Sequence, residues 1–261
     1  MEKIFHPFHI VTVSPWPLLM GLGVMSGVIG MIKMFSFLNY NLLFVSFILL
    51  VLVSFGWWRD VVRESTFQGY HSSYVLSGLM VGMLLFIVSE VFFFISFFWA
   101  FFHSSLNPSI ELGVEWPPMG VKAFSPFQVP LLNTVILLAS GVSVTWAHQA
   151  LLNENWSGAK NSLFITWMLG MYFLSLQGFE YFMAEFSISD SVFGSVFFMA
   201  TGFHGFHVIV GSLFLIIMWI RMMKSHFSNS HHFGFECAAW YWHFVDVVWL
   251  FLFSVIYWWG T

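Results

Sequence analysis

Apolar residues run through this chain in blocks too long and too continuous for the alternating faces of a soluble fold. Seven blocks emerge between polar punctuation: about residues 16–34, 42–58, 75–102, 129–152, 161–183, 191–223 and 233–259. Each is near or above the roughly 20 residues needed to cross the hydrocarbon core of a bilayer as a helix. Pro15 and Pro17 suit a helix start at the first block. The stretch 106–128 carries Pro108, Pro117, Pro118 and Pro126 with two acids and reads as a loop. The expected fold is therefore all-α, a polytopic membrane protein of about seven transmembrane helices.

The third block holds one carboxylate, Glu90, and no other charge from residue 75 to 102. An ionised acid at mid-bilayer costs roughly 2.5–3.5 kcal/mol on insertion scales, so Glu90 should face other helices rather than lipid tails. Gly82, Ser89, Ser96 and His103 recur every seventh residue, and Gly78 with Gly82 forms a small-xxx-small pair. The spacing predicts a small and polar stripe along one helix face, with Glu90 at its border. The acid serves either to fix helix packing or to carry a proton or ligand.

Composition sharpens this picture. The 261 residues are 59% hydrophobic and only 8% charged, with a mean hydropathy of +0.84, far from the quarter or so of charged residues in soluble domains. The net charge of -4 is dispersed, so nothing suggests nucleic acid and no nucleic-acid partner is expected. A single cysteine, Cys237, excludes an internal disulfide or a thiolate metal site and reads as packing. The first residues lack the pattern of a cleaved signal peptide, so the first span is expected to direct its own insertion. Lys3, Arg59, Arg63, Lys160, Arg221 and Lys224 fall on the N-terminal side, with Lys33 and Lys122 opposite. That bias places the N-terminus on the cytoplasmic or matrix face.

Eleven histidines raise haem or metal chemistry as a possibility. His204 and His207 stand three apart on one helix face, suited to a metal, to a proton exchanged with a facing acid, or to hydrogen bonds between helices. His148 and His243 also lie within spans. In the last block Glu236 and His243 share a face, with Asp246 a turn further along, a pattern that fits an interhelical polar network or a proton path. Gln177, Glu180 and Tyr181 allow the same two readings. The segment Trp57-Trp58-Arg59-Asp60-Val61-Val62-Arg63-Glu64 is expected as a loop where the second helix leaves the membrane. Arginine beside tryptophan at headgroup depth suits a phosphodiester, or simple topological anchoring.

Several strings together resemble subunit III of haem-copper cytochrome c oxidase: His6-Pro7-Phe8-His9 with Ser14-Pro15-Trp16-Pro17; residues 57–64; Phe86-Ile87-Val88-Ser89-Glu90-Val91; Phe97-Phe98-Trp99-Ala100-Phe101; Pro130-Leu131-Leu132-Asn133-Thr134; residues 201–208; and residues 231–260. They run nearly end to end and in order. The resemblance implies a non-redox subunit packed beside the catalytic haem-copper subunit I, in a complex that includes the copper-A subunit II. Cytochrome c is the substrate of that whole complex, which reduces oxygen and pumps protons. It implies no haem, copper or other metal held by this chain, with haem a and copper in the partner subunits and structural phospholipids as its own ligands. Helices 1–2, in a region 1–72, would splay from a five-helix bundle, 73–261, to form a lipid-filled V-shaped cleft. By the same resemblance Trp58, Arg63, Glu64, His71 and Arg221 match lipid-headgroup positions, and Glu90 matches a carbodiimide-reactive carboxylate. Glu90, His204 and His207 would then assist proton supply or oxygen access. Tyr70 and Gln149 depart from the family pattern, where many members carry histidine. The implied location is the mitochondrial inner membrane with the N-terminus in the matrix. The rival readings are a proton-coupled transporter, which the absence of repeated halves disfavours, and a bis-His membrane cytochrome.

Overall fold

The computed structural model describes residues 8–110 and 113–260. Among these it contains seven helices long and apolar enough to cross a membrane, and no strand. They are α1 (Trp16–Phe37), α2 (Asn41–Thr66), α3 (Ser73–Ser105), α4 (Val129–Leu152), α5 (Trp156–Phe182), α6 (Val192–Met223) and α7 (Phe233–Leu252). A π-helical turn, Phe253–Trp259, continues α7. Helices satisfy every backbone group within one segment, the condition hydrocarbon imposes on a spanning chain.

Two elements differ from the sequence expectation. Residues 59–64 are not a loop, because α2 continues to Thr66. Their charges end the apolar run, but Arg, Glu and Val carry no helix-breaking signal, so the helix outlasts its hydrophobic segment. α5 likewise begins at Trp156 rather than near residue 161, because the Asn155 side chain accepts the Gly158 amide at 3.0 Å and caps the helix five residues earlier.

The chain divides into two compact units, residues 1–79 and 80–261. In the first, α1 and α2 pack as a helical hairpin. Leu38 adopts a left-handed conformation at the end of α1, and its amide returns to the carbonyls of Lys33 and Met34. Gly56 makes room for the Trp16 ring, since a Cβ there would lie 2.5 Å from it. The Trp16 indole then donates to Asp60 Oδ2 at 2.7 Å, tying the start of α1 to the far end of α2.

In the second unit α4 packs on α5, α5 on α6, α6 on α7 and α7 on α4, closing a ring of four helices. Its centre is aromatic: Phe173, Phe193, Phe197, Trp242, Trp249 and Tyr257 are fully buried. Hydroxyls cross between helices in this core. The Trp242 indole donates to Ser140 at 2.8 Å, Trp249 donates to Thr134 at 3.0 Å, and Ser143 meets Thr166 at 2.8 Å. Such bonds join helices where burial from water no longer drives them together. α3 meets the ring through Phe93 on Phe203 and through Phe94 on His207 and Phe244.

The small and polar stripe expected on α3 is present in register but does not face this bundle. A Cβ added at Gly82 would meet nothing within 4 Å. Ser89 and Ser96 are exposed, and their hydroxyls turn back to the Phe86 and Phe93 carbonyls, both at 2.6 Å. A serine in hydrocarbon can satisfy itself on its own helix, so the stripe needs no partner within this chain.

Candidate functional site

Glu90 meets His207. The carboxylate Oε2 and the His207 Nε2 are 2.9 Å apart, with side-chain exposures of 22% and 9%. Helix α3 supplies the acid and α6 the imidazole, while Phe94, Tyr241 and Phe244 surround the ring with apolar edges and faces. The other ring nitrogen, Nδ1, lies 2.7 Å from the Phe203 carbonyl. A carbonyl can only accept, so Nδ1 carries hydrogen and Nε2 faces the carboxyl. A proton between Nε2 and Oε2 would complete this contact as a hydrogen bond. Without it two lone pairs would oppose each other in a largely dry site.

His204 does not join this pair. It is 1% exposed and donates from Nε2 to the Val245 carbonyl of α7 at 3.2 Å, edge-on to Phe173 and tilted against Trp249. Three residues along α6 turn the two imidazoles toward different helices, and His204 serves as a bridge to α7.

The lipid-headgroup candidates fall in both units. In the first, Trp58 and Arg63 are exposed at the end of α2, whereas Arg59 is held by Asp60 at 2.9 Å. Glu64 pairs with His9 at 3.3 Å, and the His9 ring stacks on Tyr70 and meets His71 edge-on. In the second unit Arg221 closes α6. Its guanidinium lies over the Phe227 ring at 4.5 Å and reaches the Met218 sulfur at 3.8 Å, while Nε makes no hydrogen bond. Among the described residues no carboxylate pairs with it. Gly234 leaves the necessary space, since a Cβ there would sit 2.7 Å from an Arg221 terminal nitrogen. A half-buried guanidinium with spare donors has the chemistry to hold an anion. Nearby His226, outside the spans, is held below the ordinary imidazole range, first by burial and then by the positive charges of Arg221 and Lys224.

On α7 the expected polar side chains divide. His243 Nδ1 and Asp246 Oδ2 are 4.0 Å apart, with Asp246 buried where a Cβ on Gly141 of α4 would lie 2.8 Å from its oxygen. Glu236 instead turns to His232, 3.3 Å away, and toward His148 at 4.0 Å. Sequence reasoning did not assemble that trio, whose members come from α4, the loop before α7, and α7. It also missed a line of bonds from Asn133 to Gln177 (3.5 Å), Gln177 to Tyr257 (3.4 Å) and Tyr257 to Glu180 (2.6 Å). The π-helical turn carries that tyrosine, a displacement that helical spacing does not foresee.

Fold and site together define a multi-pass helical membrane protein with an acid–imidazole contact between two of its helices and apolar exteriors on most of them. Residues 6–261 match the family Cytochrome c oxidase subunit III. The cytochrome c oxidase subunit 3 of Anopheles gambiae is 60% identical over 256 residues, covering 98% of each chain. That of Drosophila melanogaster is 59% identical over 255 residues, 98% of this chain and 97% of the relative. That of Branchiostoma lanceolatum is 59% identical over 256 residues and 98% of each. The chain belongs to the cytochrome c oxidase subunit III family.

Proposed function

We propose that this non-redox subunit of cytochrome c oxidase, in the mitochondrial inner membrane with its N-terminus in the matrix, supports the catalytic haem-copper subunit I in two ways. Within that oxidoreductase complex, which also contains the copper-A subunit II, it binds phospholipid headgroups at the ends of its helices and holds an exchangeable proton at Glu90. The proton is the part carried by a single observation: the 2.9 Å contact between Glu90 and His207, with Nδ1 of His207 committed to the Phe203 carbonyl. An acid and an imidazole that share one proton can release it or accept another with little rearrangement, the property a relay needs.

Phospholipid binding rests on different residues. Arg63 with Trp58 in the first unit, and Arg221 in the second, offer guanidinium donors at helix ends, while Glu64 and His71 beside His9 offer partners for an ammonium group. The lopsided distribution of lysine and arginine supports the matrix-facing N-terminus. Haem a and copper belong, in this reading, to the partner subunits.

Glu90→Gln in the intact oxidase tests the proton role. The amide can still donate to His207 Nε2 but cannot exchange a proton, so packing is preserved while proton uptake should slow and turnover-dependent inactivation should accelerate. Unchanged rates would reduce Glu90 to a packing residue.

A further inference from the structure

His148, in the last turn but one of α4, His232, just before α7, and Glu236, in the first turn of α7, bring one ligand atom each to within 4.8 Å of one another. We infer that these three residues form a binding site for a divalent cation of the zinc class. Tetrahedral zinc takes imidazole nitrogen and carboxylate oxygen at about 2.0–2.2 Å, which keeps its ligand atoms about 3.3–3.6 Å apart. Here His232 Nε2 and Glu236 Oε1 are 3.3 Å apart, and His148 Nε2 and Glu236 Oε1 are 4.0 Å apart. Bringing the second distance into that range needs a shift of a few tenths of an ångström by His148, which sits 34% exposed at the rim.

The hydrogen bonding around the trio orients it for ligation. His232 is buried and donates from Nδ1 to the Ser228 carbonyl at 3.1 Å. That bond fixes the tautomer and leaves the Nε2 lone pair pointing inward, as in metal sites where the second ring nitrogen is tied to a carbonyl. Nε2 of His232 and Nε2 of His148 are both buried and make no hydrogen bond. Two buried imidazole nitrogens without hydrogen bonds thus converge on the Glu236 carboxylate, an arrangement that a bridging cation would complete. Ser228 is itself placed by a turn in which its hydroxyl accepts the His231 amide, and the same loop is anchored by Asn229 donating to Glu154 at 2.7 Å. The site is therefore built on two helix ends and one braced loop. The exposed edges of His148 and Glu236 give it an entry path, and three protein ligands leave a fourth position for water.

The test uses the intact oxidase complex and zinc chloride. Crystals soaked at micromolar zinc should show an anomalous difference peak at the zinc edge lying about 2 Å from all three ligand atoms. In solution, zinc should protect the partly exposed His148 from carbethoxylation, read by mass spectrometry of the wild-type chain, so no variant need fold. His232→Gln and Glu236→Gln should each weaken that protection of His148 by about tenfold or more. The inference is overturned by an absent peak, by a peak resting on only one of the three residues, or by protection that survives both substitutions.

Discussion

Trp242 is held by the absence of other side chains. Its ring occupies space that a Cβ on Gly170 of α5 would invade at 2.6 Å and one on Gly211 of α6 at 2.9 Å, while its indole nitrogen donates to Ser140 of α4. One residue of α7 thus engages three other helices. Gly211→Val should push the ring out of this slot, and Trp242→Ala should leave a void and remove the bond that links α7 to Ser140, whose hydroxyl keeps its bond to the Leu137 carbonyl. Truncating a buried aromatic costs about 3 kcal/mol or more, a loss that thermal unfolding of the detergent-solubilised complex would register as a lower midpoint; an unchanged midpoint would show the slot to be slack. Nothing in the sequence marks this tryptophan among the 14 present, because the signal lies in two glycines on other helices. The Glu90 site was legible in part. The lone acid in an apolar run announced a buried carboxyl needing company, and the histidines of α6 were visible as candidates. Which of them answers the acid depends on how α6 rotates against α3, a packing variable that spacing alone leaves open. Arg221 repeats the lesson, since its charge was visible and its lack of a carboxylate was not. If it holds a phosphodiester, Arg221→Ala should reduce the phospholipid retained by the purified complex, measured by lipid mass spectrometry.

The helices themselves were the most readable feature, because a span must be long, apolar and free of unsatisfied backbone. Their ends were read less well, being set by single caps. At the start of α6, Ser191 accepts the Gly194 amide at 3.1 Å. Just before it, Asp190 accepts the Ser187 amide at 2.7 Å and the Ser187 hydroxyl at 2.8 Å. These bonds hold Asp190 below its ordinary value of 3.8. A depressed carboxylate contributes stability that is fully present above its unfolded value and is lost as pH falls through the folded one. Hydrogen exchange at the Ser187 amide should therefore quicken, beyond its intrinsic pH trend, as pH drops below 3.8, and Asp190→Asn should remove that acid dependence. At α5 the corresponding change, Asn155→Ala, should weaken the first turn by about 1 kcal/mol, seen as faster exchange at the Gly158 amide. The polar end of α2 shows the complementary failure of hydropathy, which locates the membrane edge and not the helix end.

For the molecule as a whole, the distribution of basic residues and the alternation of seven spans predict which termini and loops share a face. By that count Asn229, in the turn between α6 and α7, is expected on the face of the N-terminus. The native thiol Cys237 is 5% exposed and should stay silent, so Asn229→Cys in intact mitoplasts should resist an impermeant maleimide and react only once the membrane is opened. Labelling from outside would reverse the orientation. The division into two units, and the exposed apolar faces that dominate α1, α2 and α3, fit a subunit whose surroundings are lipid and other subunits rather than water. Such faces say that neighbours exist, but composition cannot name them, and only the ordered strings shared with the subunit III family did so.

The closed ring of four helices has a bearing on biogenesis. α7 is translated after α4, α5 and α6, yet it carries the indoles that donate to Ser140 and Thr134 of α4. Until it arrives, the nascent bundle presents a furrow of hydroxyls and glycines to the bilayer. A ribosome that stops short of residue 233 would release a product with that furrow permanently open, a ready mark for membrane proteases to sort the unfinished from the complete.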